Sequence, residues 1–82
     1  MYVTAMRAMV VTKSQHTFDN GDTVYRVGLT NGSGELVNVE CDAQTHAAMV
    51  PLDKRYDVQI DFYNVGFSVR NFLVAYAESK EQ

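Results

Sequence analysis

Phe18 is an apolar ring in a polar stretch, with Ser14-Gln15-His16-Thr17 before it and Asp19-Asn20 after it. It has little core to join and is free for a ligand or partner. Tyr63 and Phe67 bracket the short link Asn64-Val65-Gly66, and Arg7, Lys13, Arg26 and Arg70 are placed to supply phosphate contacts around the first, second and fifth strands. Flat rings stack on unpaired bases at ~1–3 kcal/mol per base while cations neutralise the phosphate backbone, so these residue types suit a single-stranded nucleic acid. Tyr25 joins the set on a second footing, because its strand position serves a core as well as a ligand. The same exposed rings also suit a protein interface, which is the competing expectation.

Other chemistries find little support. His16 and His46 have no Cys or carboxylate at ligand spacing, so neither a metal nor a cofactor is expected. Asp19-Asn20-Gly21-Asp22 has the look of a calcium loop but lacks the remaining ligands and the distal glutamate, and a turn explains it better. Asp57 and Asp61 share a strand face at roughly 13 Å, too far apart to share a metal or a proton. Cys41 lies on the apolar parity of its strand and reads as a small core residue. With no catalytic constellation, the chain is not expected to be an enzyme.

The elements that position these residues are mostly strands. Valine outnumbers leucine twelve to four, and Val, Ile, Thr, Tyr and Phe make up 28 of 82 residues, a bias toward a pleated surface. Residues 56–62 alternate Tyr56, Val58, Ile60 and Phe62 with polar residues. Residues 24–30 place Tyr25, Val27 and Leu29 on one face, and residues 35–41 do the same with Val37, Val39 and Cys41. Asn31-Gly32-Ser33-Gly34 between them predicts a tight hairpin. Residues 2–12 and 67–77 are apolar on both parities, as expected of long strands covered on both sides or bending between sheets. Asn20-Gly21 predicts a type I′ turn closing a first hairpin with a projecting tip. Asp42 caps the alanine-rich run 43–49, which Val50-Pro51 stops, giving one or two helical turns.

The order β-β-β-(short α)-β-β predicts an all-β, five-stranded Greek-key barrel of the OB type, with an SH3-like barrel as its rival. One domain spans residues 1–77, followed by a frayed polar tail at residues 78–82. Eighty-two residues leave no room for a second domain. The lone cysteine implies a reducing, cytoplasmic setting, and Arg7 and Lys13 interrupt the N-terminal apolar run without a cleavage site. No stretch nears the ~18 apolar residues of a membrane span.

The layout of residues 24–76 resembles the gene V type single-stranded DNA-binding proteins of filamentous phages. The likeness lies in Val27-Gly28-Leu29-Thr30-Asn31, in Leu36-Val37-Asn38-Val39 ending at Asp42, and in Tyr56-Asp57-Val58 leading to Tyr63-Asn64-Val65-Gly66-Phe67. The resemblance implies a dimeric OB-fold, a non-enzymatic role in phage DNA replication, and a DNA or neighbour contact at Phe67. It also implies cationic contacts on the first hairpin, where this chain offers Lys13, His16 and Arg26 beside Asp19 and Asp22. Positions expected to be basic by that match read Asn38 and Asn64. Seven cations against ten acids leave a net charge of -3. Non-specific affinity comes largely from released counterions, so modest binding is expected, and only if the cations gather on one face.

Overall fold

The computed structural model describes residues 1–31 and 35–80. Five strands, β1 (Tyr2–Thr17), β2 (Thr23–Thr30), β3 (Val37–Cys41), β4 (Arg55–Val65) and β5 (Ser68–Glu78), close into a barrel in the order β1-β2-β3-β5-β4. A short helix, α1 (Ala43–Ala48), links β3 to β4. All pairings are antiparallel except that of β3 with β5, and this is the OB-like arrangement expected from the element order. A path across paired strands from Ser14 returns to β1 at Tyr2, twelve residues earlier. That stagger tilts the strands and lets so few of them close.

The two strands that are apolar on both parities owe the pattern to bulges. In β1 the register shifts between Ala5 and Ala8, with Arg7 at φ 57°, and again between Val10 and Thr12. Each extra residue turns the strand over, so Ala5 packs inward before the first shift and Ala8 and Val10 after it. β5 does the same where Ile60 pairs with Leu73 but Gln59 with Ala75, leaving Val74 over. Coverage on two sides is therefore replaced by one buried side that changes parity along the strand.

Val10, Val27, Val39 and Val58 fill the barrel interior, and Met49, at the end of α1, is buried with them. Asp42 caps the helix, accepting from the Thr45 N–H at 2.7 Å, which holds its carboxyl below the usual range. Tyr56, buried in β4, accepts at its hydroxyl from the Val50 N–H at 2.9 Å and so fixes the chain as it leaves the helix. Cys41 is buried, and burial pushes its thiol up in pKa.

The turns differ from expectation in one place. The type I′ turn expected at Asn20-Gly21 is absent: only Gly21 has positive φ, at 93°. The Gly21 N–H reaches Phe18 O at 2.9 Å and the Phe18 N–H reaches Asp22 O at 2.8 Å. The result is a type I turn followed by a left-handed glycine, favoured because Asn20 instead accepts from the Asp22 N–H at 3.0 Å. Three of the four residues of the hairpin expected at 31–34 lie outside the described residues. Of the tail expected at residues 78–82, residues 78 and 79 are tied into the barrel. Glu78 closes β5, and Ser79 is tied by its N–H to Arg55 O at 2.8 Å and by its hydroxyl to Asp57 at 2.7 Å.

Candidate functional site

Strand pairing lays a row of side chains across the outside of the barrel. Ser14 lies beside Arg26, Arg26 beside Glu40, Glu40 beside Phe72, Phe72 beside Asp61, and Asp61 beside Tyr2. Paired residues share a face, and Arg26 and Glu40 alternate with the buried Val27 and Val39, so the row faces out. Steps between strands are about 5 Å, and because the row starts and ends on β1 it is a band that winds once around the barrel, with Arg26, Glu40 and Phe72 together on three adjacent strands. Two residues further along, Tyr63 pairs with Arg70.

The centre of the band is an ion-pair cluster. Glu40 Oε1 accepts from Arg70 Nη2 at 2.7 Å and lies 3.4 Å from Arg26 Nη2. The Glu40 side chain is only 15% exposed, whereas both arginines are more than 40% exposed. The hydrogen bond and charge of Glu40, with Tyr63 adding, hold the Arg70 guanidinium more firmly protonated than usual. Beneath it, Asn71 stitches β3 to β5 with its amide, donating to Asn38 O at 3.0 Å and accepting from the Glu40 N–H at 3.4 Å. Among the described residues one pairing, Glu40 with Phe72, marks this parallel seam, so the side-chain amide takes on part of the ladder's work.

Two hairpin tips flank the outer surface. Val65 and Ser68 pair, so Gly66 and Phe67 are the turn; Gly66 alone has positive φ, at 61°, the II′ geometry that fits strand twist. Phe67 therefore projects with nothing over it, at 111% relative exposure. At the other tip Phe18 is 46% exposed and takes the His16 ring edge-on at 4.6 Å.

The structure brings together part of the expected set and separates the rest. Arg26, Arg70 and Tyr63 share the outer band, with Phe67 at the end of the β4–β5 hairpin and Phe18 and His16 at the β1–β2 tip. Tyr25 faces inward, packing on the core and on His46 at 5.1 Å between ring centroids. Lys13 is also turned to the inner side, beside Val27, and donates to Met49 O at 3.1 Å. Arg7 sits in the first β1 bulge with Lys54, Arg55 and Glu78 along one cleft of about 520 Å³.

That bulge is held mainly by backbone groups and neighbouring side chains, with the Arg7 charge adding a smaller effect on Asp57. The Arg7 N–H reaches Asp57 Oδ1 at 3.0 Å, and Arg55 Nη1 donates to Arg7 O at 2.9 Å. The Ser79 hydroxyl first, then the Arg7 N–H, lower the Asp57 pKa. Asp57 lies on the outer face of β4 and there joins the β1 bulge to the end of β5.

Phe72, Tyr2 and Glu40 belong to the band and were not singled out from the sequence. Glu40 sits on the polar parity of β3, so its place beside Arg26 follows once the hairpin register is fixed. Phe72 carries no such signal, because β5 is apolar on both parities. Among the described residues no group of His, Cys, Asp and Glu is placed to hold a metal ion. Among them, too, no helix is long and apolar enough to cross a membrane.

No family model, curated protein or solved structure matches the chain. The fold and the surface define its class without them: a closed five-stranded OB-like barrel with an aromatic and arginine-bearing outer band.

Proposed function

We propose that this barrel is a non-enzymatic single-stranded nucleic-acid-binding protein. Bases stack on Phe72, Tyr63 and the projecting Phe67, while phosphates meet Arg26 and Arg70. The observation that carries the reading is the outer surface around β3 and β5, where Arg26, Glu40 and Phe72 lie side by side on neighbouring strands and the Tyr63–Arg70 pair adjoins them. Phe18 and His16 extend the contact at the first hairpin tip. The resemblance to gene V type proteins supports single-stranded DNA as the ligand and a role in the replication of a phage or other mobile element. A homodimer in the cytoplasm fits a small domain with exposed Val65, Phe67 and Val69 on one hairpin and a single buried thiol.

Fluorescence anisotropy of labelled oligo-thymidine against duplex of equal length, at two salt concentrations, tests this. Micromolar or tighter single-strand binding that weakens with salt is expected. No binding at low salt would remove the reading. A second reading, a protein-interaction barrel, is favoured by the engagement of both arginines with Glu40, which leaves little free positive charge on this face. Salt-insensitive self-association with no oligonucleotide binding would support it.

A further inference from the structure

Arg26 and Arg70 come from different strands yet point their Nη2 atoms at the same oxygen, Glu40 Oε1. Those two donors are within about 6 Å of one another, a span over which two guanidinium groups can grip one phosphate. Glu40 supplies what a phosphate oxygen would: one negative acceptor between two forks. Its side chain is largely enclosed while both arginines stay half exposed, so an incoming anion meets the arginines first.

We infer that Glu40 is a built-in competitor for a phosphate subsite formed by Arg26 and Arg70. The carboxylate holds the two arginines in place when no ligand is bound and must yield them for a phosphate to be gripped. It thereby weakens binding and makes it shallower in salt. The inference deepens the nucleic-acid reading and rests on it for the identity of the polyanion, but the anion subsite can be probed separately. Electroneutrality sets the direction: with Glu40 charged the cluster carries one net positive charge, and with an amide in its place it carries two.

Glu40→Gln keeps an oxygen that can accept from both arginines while removing the charge, so the β3–β5 seam keeps its hydrogen bonds; an unchanged circular dichroism spectrum and melt establish that it folds. The variant is expected to bind oligo-thymidine about three- to tenfold tighter than the wild type at low salt. Its log–log salt slope should be steeper by about 0.7, as one further cation becomes available to the strand. Titration with inorganic phosphate, followed through the Nε–Hε resonances of Arg26 and Arg70, should move both signals further in Glu40→Gln than in the wild type.

Equal affinity and equal slope in a folded variant would overturn the inference while leaving the single-strand reading standing. Phosphate shifts confined to Glu40→Gln, with no oligonucleotide binding by either protein, would sustain the subsite and sink the nucleic-acid reading. Unmoved arginine signals in both proteins would remove the subsite altogether.

Discussion

Asp57 and Glu40 are both carboxylates set between strands, and each holds several partners, but the two regions are built for different ends. Asp57 accepts from a backbone N–H and a hydroxyl, both neutral and local to the β1 bulge and the end of β5. Glu40 accepts from two guanidinium groups that are themselves half exposed. A carboxylate tied to the backbone can be replaced by an outside anion only if the chain moves. One tied to exposed cations can be replaced in place. The first fixes a fold, the second leaves charge that a ligand can use, and strain shows on the first side only, where Arg7 takes a left-handed backbone.

The largest effect expected is on the ligand side. Phe67→Ala should weaken oligo-thymidine binding roughly five- to hundredfold, the equivalent of one stacked base, without lowering the melting temperature, because the ring touches nothing in the barrel. Retained affinity would take that tip out of the interface. Next comes a direct contrast of the two regions. Arg70→Ala should weaken binding about three- to tenfold and flatten its salt dependence, whereas Arg7→Ala should change it less than about twofold. Equal losses from both would mean that the strand tracks the bulge end as well as the band.

Acid separates the regions by stability. The Asp57 pKa is lowered in the fold, so its stabilisation is fully present above the ordinary carboxylate value of about 4 and is lost as pH falls through the lowered one. Asp42 shifts the same way at the helix cap, so Asp57→Asn should flatten the acid limb of melting temperature against pH without abolishing it. An unchanged acid limb would mean that Asp57 does not hold the bulge in solution. The smallest effect is Arg7→Gly, expected to stabilise by up to about 1 kcal/mol in denaturant melts, since glycine takes a positive φ without the penalty an arginine carries. A clear loss of stability would show that the arginine side chain contributes more than its backbone costs.

Much of the fold was legible in the sequence wherever one strand face is polar and the other apolar. Val27, Leu29, Val39, Cys41, Val58 and Ile60 all stand on the expected buried parity. The first and last strands resisted this reading because a bulge shifts parity by one, and a single extra residue leaves no compositional mark. For the same reason Phe72 could not be told from a core residue. Of the cations, Arg26 on β2 and Arg70 on β5 met because their strands flank β3, which carries Glu40, and the β3–β5 pairing joins residues far apart in the chain. Lys13 went inward through the second bulge, which periodicity does not encode, whereas Tyr25 stands on the parity of Val27 and Leu29 that the alternation gave.

By itself the sequence determined the element order, the helix between the third and fourth strands with its Asp42 cap, and the placing of Phe18 and Phe67 at hairpin tips. These rest on local physics: alternation of apolar and polar residues, capping, and glycines that accept positive φ. Only the tertiary structure decided which cations share a carboxylate, which rings face out, and that Asp57 pins a bulge. Those outcomes depend on strand order and register, and register is set by the closing of the whole barrel.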